Sequence, residues 1–264
     1  MEHVVIVLPT YNEAENIGRL LEEIQNQAER VGEFRLSVLV VDDLSPDKTG
    51  AIVTEYSKQH KNVFILGGTR KRGLGTAYKR GILHAIEHLK ADIVFEMDAD
   101  FSHDPGDIPR LLRALADGSD FAIGSRYVPG GSIPSNWSAF RKANSRWGNI
   151  FARYIAGLRG VRDCTSGYRA IRASTLLKIE LNKLAVTGYA FQMSLLHAAV
   201  SCGATVTEIP IRFADRIRGE SKIGIADIIE FMIKSFEIRL SMIFKRRAKR
   251  IADKATKDGV SRDY

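Results

Sequence analysis

A chain of 264 residues, 45% of them hydrophobic, can bury one large α/β core and a short appendage, which excludes two full-sized domains and global disorder. Its formal net charge of +8 favours polyanionic partners (nucleic acid, anionic lipid or phosphorylated ligands) without choosing among them. Two distant cysteines, Cys164 and Cys202, with no CxxC spacing, exclude a disulfide framework and a cysteine zinc site, and suit a reducing cytosol.

Residues 4–8 read as a buried strand stopped by Pro9. Asn12 is placed to cap a helix over 13–30, with Ile17, Leu20, Leu21 and Ile24 on one face. A second apolar run, 36–41, ends in Asp42-Asp43. Helix is expected over 49–60, with Asp47 as its cap, then a short strand at 63–66 and helix over 75–90. Strand 93–97 ends at Asp98. Helix 108–116 and strand 121–123 follow. Strands alternating with helices, each strand a continuous apolar run, predict a mostly parallel sheet covered on both faces. Ligands of such sheets bind at the carboxyl ends of the strands, where Tyr11, Glu13, Asp42, Asp43, Asp98 and Asp100 fall.

The second half has a different texture. Residues 128–135, with two glycines and two prolines, read as loop. A helix over 137–158 interleaves Phe140, Trp147, Phe151 and Tyr154 with Arg141, Lys142, Arg146 and Arg153. A strand is expected over 205–213 and a long helix over 223–250. That helix spaces Ile225, Ile228, Ile229, Met232, Phe236 and Ile243 on one face and ends in a basic cluster, 245–250. It suits either an interfacial helix on anionic lipid or a helix packed on the core. The opening residues lack the basic region and cleavage site of a signal peptide, and no run of 18 uncharged apolar residues occurs, so neither leader nor spanning helix is expected.

Asp98-Ala99-Asp100 puts two carboxylates one residue apart at a strand end. Hard cations such as Mg²⁺ or Mn²⁺ take oxygen ligands, often one or two carboxylates plus substrate phosphates. A short DxD also recurs by chance on surfaces. Gly73-x-Gly75 does not complete a dinucleotide fingerprint and reads as a turn. His84 and His88 are four apart without a third ligand, and none of the six histidines shows metal-ligand spacing.

Seven blocks in order carry a resemblance. They are Pro9-Thr10-Tyr11-Asn12-Glu13; Val41-Asp42-Asp43-Leu44-Ser45-Pro46-Asp47; Met97-Asp98-Ala99-Asp100-Phe101-Ser102-His103; and Gly124-Ser125-Arg126-Tyr127. Then come Thr165-Ser166-Gly167-Tyr168-Arg169; Gly188-Tyr189-Ala190-Phe191-Gln192-Met193; and Asp215-Arg216-Ile217-Arg218-Gly219-Glu220-Ser221-Lys222. The set resembles family 2 glycosyltransferases, within them the dolichol-phosphate mannose synthase group. The resemblance implies a GT-A fold, a single mixed and mostly parallel sheet with helices on both faces. It implies GDP-mannose as donor, a dolichyl or other polyprenyl phosphate as acceptor, and Mg²⁺ or Mn²⁺ as cofactor. Carried over by position, Pro9, Tyr11, Glu13, Val41 and Asp43 would line the nucleoside pocket. Asp98, Ala99, Asp100 and Ser102 would meet the diphosphate, with Asp98, Asp100 and Ser102 on the metal, although some relatives carry glutamine at the Ser102 position. Arg126, Arg216 and Lys222 would contact phosphates, and Asp98, Asp100 and Arg126 would carry catalysis.

The domain reading is a catalytic unit over 1–222, an amphipathic basic helix over 223–251 and a frayed polar tail over 252–264. The protein is expected on the cytoplasmic face of a membrane as a peripheral enzyme; a small membrane-spanning partner subunit is compatible with this. Nucleic acid is not expected as a partner. Three other readings stay open on sequence alone: the same fold with UDP-glucose, a basic nucleic-acid-binding protein, and an inactive sugar-nucleotide sensor.

Overall fold

The computed structural model describes residues 1–184, 189–215 and 231–240. Seven strands form one sheet: β1 (Glu2–Thr10), β2 (Phe34–Asp42), β3 (Val63–Gly67), β4 (Ile93–Glu96), β5 (Phe121–Ser125), β6 (Arg169–Arg172) and β7 (Val206–Pro210). Their spatial order is β3-β2-β1-β4-β6-β5-β7. All run parallel except β6, which is antiparallel to both neighbours. The helices are α1 (Ala14–Gln25), α2 (Thr49–Gln59), α3 (Leu74–Glu87), α4 (Ile108–Ala116), α5 (Ala139–Ile155), α6 (Ala173–Leu177) and α7 (Tyr189–Ser201). Residues 231–240 are also helical.

The apolar run of β1 is continuous because both of its faces are buried. Val4, Ile6 and Leu8 join one hydrophobic cluster, with Ile17, Leu20, Leu21 and Ile24 of α1 and with Leu111, Leu112 and Leu115 of α4. Val5 and Val7 join the other, with Ala77, Tyr78 and Ile82 of α3 and with Phe191 and Leu195 of α7. Alternation along the strand thus divides it between two cores. Each fully buried aliphatic side chain contributes about 1.5–3 kcal/mol.

Several boundaries differ from the sequence expectation, each for an identifiable reason. Pro9 does not stop β1; it pairs in register with Val41, and the strand runs to Thr10. Val7, two residues earlier and of the same parity, accepts from Met97 N–H on the β4 side. The donor that Pro9 lacks would therefore point past the end of β4, and the ladder to β2 is intact. Asn12 does not cap α1. It takes φ +62°, a left-handed turn conformation that Asn tolerates better than most residues, and α1 begins at Ala14. The cap comes from across the sheet edge: Asp47 Oδ2 accepts from Ala14 N–H at 2.9 Å and Thr49 Oγ1 from Glu13 N–H at 3.0 Å. The same Asp47 turns its Oδ1 to Thr49 N–H at 3.0 Å, so one carboxylate serves the starts of both α1 and α2.

Two elements leave no apolar signature. β6 is four residues long and carries two arginines, and α7 is apolar on every side because it is enclosed, so neither shows a one-faced pattern. The helix expected over 137–158 is Ala139–Ile155, capped by Ser138, whose hydroxyl accepts from Arg141 N–H. The strand expected over 205–213 is Val206–Pro210. Of the helix expected over 223–250, residues 231–240 are helical and the remainder lies outside the described residues, as do the 222/223 boundary and the 252–264 tail.

Burial alone would raise the pKa of Asp47, but the bonds from Thr49 and Ala14 outweigh it and hold the carboxyl below its ordinary value. A depressed folded pKa gives stability that is present above the unfolded pKa, about 3.9, and lost as pH falls through the folded value. Asp47→Ala is expected to cost about 1–2 kcal/mol at pH 7, and the gap from wild type should narrow below about pH 4. Urea unfolding of both proteins across pH 7 to 3.5 checks this; a gap independent of pH would contradict it.

Candidate active site

Because β1, β2, β4 and β5 run parallel, their carboxyl ends share one edge. Pro9, Tyr11, Glu13, Val41, Asp43, Asp98, Ala99, Asp100, Ser102 and Arg126 all lie at or just beyond those ends. The structure thus gathers the expected residues, with two exceptions: Arg216 and Lys222 lie outside the described residues.

At the β1–β2 end, the two aspartates divide their work. Asp42 organises the turn, accepting from Thr10 Oγ1 at 3.0 Å and from Ser45 N–H at 3.0 Å. Asp43 is buried and held by one guanidinium and one backbone amide: Arg80 Nη1 donates to its Oδ1 at 2.9 Å and Arg72 backbone N–H to its Oδ2 at 2.9 Å. Lys71 Nζ lies 4.1 Å from the centre of the Tyr11 ring. Glu13 Oε2 accepts from Asn16 Nδ2 at 2.9 Å. Sequence reasoning missed Arg72 and Arg80. The signal was present, since the run Arg70-Lys71-Arg72 follows the carboxyl end of β3.

Beyond β4, the chain turns tightly through Phe101, at φ +62°. That conformation is strained for a bulky residue and is kept where the surroundings enforce it. Inside this turn Ser102 N–H donates to Asp100 Oδ1 at 3.0 Å. Tyr78 Oη donates to Asp98 Oδ1 at 2.8 Å, and Asp98 N–H donates to His103 Nδ1 at 3.1 Å. The latter bond leaves the His103 proton on Nε2. His103 is buried, stacks on Tyr168 at 4.7 Å and meets the edge of Phe213 at 5.5 Å. Burial lowers its pKa against the pull of Asp98 and Asp100. Burial, then Asp98, push the Tyr78 phenol well above its ordinary value, so it stays a donor. One step deeper, burial pushes the Glu96 carboxyl up to about 7, with Arg169 opposing.

The donor set fits a hard divalent cation. It comprises two carboxylates and the Ser102 hydroxyl, which is buried without a hydrogen-bond partner. Among the described residues no group of three or more His, Cys, Asp or Glu could hold an ion unaided.

At the end of β5, Arg126 forms a fork with Asp163, Nε to Oδ2 and Nη2 to Oδ1, both at 2.7 Å. Nη2 also donates to Thr165 Oγ1 at 2.9 Å. Nε and Nη2 of Arg126 are thus committed within the protein. Asp163 is fully buried; burial opposes its charge, and Arg126 overcomes this and holds the carboxyl below its ordinary range. The fork explains the block that follows. Ser166 Oγ donates to Gly124 O at 2.7 Å, Gly167 backs the Asp98 carboxylate, and Tyr168 Oη donates to Asp104 O at 2.7 Å. Arg169 spends Nη1 and Nη2 on the carbonyls of Gln192 and Cys164. Asp163→Ala should cost about 3–5 kcal/mol by leaving the guanidinium unpaired. Urea unfolding at pH 7 measures this, and a loss under 1 kcal/mol would contradict it.

Comparison with known proteins agrees with this arrangement. The sequence model described as Glycosyl transferase family 2 matches residues 5–179. The chain is 40% identical over 237 residues to the polyprenol monophosphomannose synthase of Mycolicibacterium smegmatis, covering 89% of this chain and 86% of that protein. It is 40% identical over 225 residues to the undecaprenyl-phosphate mannosyltransferase of Micrococcus luteus, covering 84% and 87%. A dolichol-phosphate mannosyltransferase of Pyrococcus furiosus is 36% identical over 230 residues, which span 87% of this chain and 61% of that longer protein. Among solved structures, mannosyl-3-phosphoglycerate synthase from Rubrobacter xylanophilus superposes with a TM-score of 0.63 at 18% identity, over 94% of this chain and 75% of the other. Glucosyl-3-phosphoglycerate synthase from Mycobacterium tuberculosis, in complex with Mn²⁺ and UDP-glucose, gives 0.60 at 17%, over 84% and 73%. These two likenesses concern the GT-A fold alone. With the family model spanning most of the sheet and two relatives sharing two-fifths of their residues along nearly the whole chain, the chain belongs to glycosyl transferase family 2 and is a hexosyltransferase.

Proposed function

We propose that the chain transfers mannose from GDP-mannose to a polyprenyl phosphate of the dolichyl type, with inversion, giving a β-mannosyl phospholipid. One observation carries this reading: the 40% identity to two relatives whose names join mannose to a polyprenyl phosphate. Membership of a glycosyltransferase family supports this reading over the nucleic-acid-binding alternative.

The chemistry is consistent with the residues present. A phosphate monoester has a second pKa of about 6, so the acceptor is largely dianionic at neutral pH and needs little general-base help. Its oxygen forms a bond to the anomeric carbon as the bond from that carbon to the β-phosphate oxygen breaks, and the electron pair leaves with GDP. The protein must orient two mutually repelling phosphates and control the charge that develops. Held by Asp98, Asp100 and Ser102, Mg²⁺ or Mn²⁺ would supply neutralisation of the departing diphosphate. Tyr11, Glu13 and Asp43 with Pro9 and Val41 would line the nucleoside end. Arg126, Arg216 and Lys222 form the proposed phosphate contacts.

Asp100→Ala is expected to stay folded and to lose transfer by about 10²–10³-fold. The measurement is radiolabelled mannose passing from GDP-mannose into polyprenyl phosphate with Mn²⁺, with and without EDTA. Near-normal metal-dependent label in the folded variant would sink the assignment. Label only from UDP-glucose in parallel reactions would replace the donor and keep the reaction. Silence with every donor would point to a required membrane-spanning subunit or to a non-catalytic protein.

The acceptor's location calls for a membrane-facing surface, and we place it on α5 and residues 231–240. Phe140 and Trp147 are 78% and 68% exposed on α5, with Tyr154 beyond them, among Arg141, Lys142, Arg146 and Arg153. Phe151 meets Phe236 edge-on at 5.6 Å, joining the two helices. Within 231–240, Phe231 and Ser235 turn inward while Met232, Ile233, Phe236 and Leu240 face out. Among the described residues no helix is long and apolar enough to cross a membrane. In this reading 1–222 is the catalytic unit, 223–251 the interfacial helix and 252–264 a tail. Vesicle flotation should show binding to anionic lipid that weakens with salt, each basic residue near the surface contributing about 1 kcal/mol. Phe140→Glu with Trp147→Glu should release the protein, whereas full binding by that double variant would move the membrane face elsewhere.

A further inference from the structure

We infer that Tyr78 is a positioning residue for Asp98: its hydroxyl fixes the carboxylate orientation that a divalent cation requires. The inference rests on the reading of Asp98 and Asp100 as metal carboxylates and names the group that aims one of them.

Tyr78 has a single polar atom, and it donates at 2.8 Å to Asp98 Oδ1. The rest of the side chain is enclosed, fully buried and parallel to the Phe191 ring of α7, with centroids 6.4 Å apart. The helix beneath it has little freedom. A Cβ at Gly81, three residues along α3, would run into the side chains of Val7 of β1 and Val41 of β2, so the helix backbone lies directly on those two valines. Ala77, Ile82 and Ala85 pack into the same cluster as Val5, Val7, Leu39 and Val41. Tyr78 is thus a rigid post set under a partly exposed carboxylate. His103 accepts from the Asp98 backbone N–H, and Gly167 packs behind the carboxylate. Partners that orient a liganding group typically change metal affinity by 10–100-fold when removed.

Tyr78→Phe keeps the ring and deletes the donor. Mn²⁺ uptake is read from the free-ion EPR signal, with GDP and, in parallel, with UDP, for wild type, Tyr78→Phe, Phe191→Leu and Asp100→Ala. Nucleotide binding in EDTA and thermal melting are followed on the same samples. Tyr78→Phe should weaken Mn²⁺ binding about ten-fold, with metal-free nucleotide binding unchanged. Phe191→Leu should lower the melting temperature and keep wild-type Mn²⁺ affinity. Wild-type affinity in Tyr78→Phe would overturn the inference. So would equal weakening in Phe191→Leu, which would make packing the cause, or parallel loss of metal-free nucleotide binding. No Mn²⁺ uptake by wild type with either nucleotide would instead overturn the metal reading of Asp98 and Asp100, and this inference with it. Uptake by wild type that Asp100→Ala abolishes keeps that reading whatever Tyr78→Phe shows.

Discussion

The carboxyl edge depends on the buried fork between Arg126 and Asp163. Buried ion pairs are weak sources of net stability, because desolvation consumes most of their attraction. What this one supplies is position. It ties the segment before β6 to the end of β5, and that segment then delivers Gly167 behind Asp98 and Tyr168 against His103. β6 enters between β4 and β5 against the direction of both. Its approach therefore crosses the edge at which its neighbours leave, and a polar anchor is needed there to hold it.

A second set of restraints comes from the other face. α3 lies close on β1 and β2 through Gly81, and along its length it offers Tyr78 to Asp98 and Arg80 to Asp43. One helix therefore touches both the β1–β2 end and the Asp98–Asp100 pair. The acidic groups of the edge are held in opposite ways. Asp43 is buried and takes the Arg80 guanidinium and the Arg72 backbone N–H, while Asp98 accepts from the Tyr78 hydroxyl and donates its own N–H to His103. A carboxylate already neutralised by arginine is a poor cation ligand.

Strand positions 4–8 and 36–41 were legible because burial on both faces demands unbroken apolar runs. Helices α1 and α4 were legible because each has one buried stripe. The DxD was readable as chemistry because its two carboxylates follow such a strand. β6 and α7 escaped for the opposite reason, since a short strand built around a buried arginine and a helix enclosed on all sides carry no one-faced pattern. Arg72, Arg80, His103 and Tyr78 escaped as site-forming residues because their roles depend on contacts with residues from 5 to 37 positions away.

By itself the sequence determined the parallel α/β architecture, the edge on which the site is built and the residue types gathered there, since apolar periodicity and strand direction are local properties. The ordered motif blocks pointed further, to the family. Tertiary structure alone decided which charges are spent on one another. Only there does Arg126 close on Asp163, does Asp47 reach back to the start of α1, and does Tyr78 reach Asp98, because each pairing spans 20 to 37 residues of chain and forms only when the strands align. A pattern read along the chain records what each residue can do; burial and packing select the partner with which it does it.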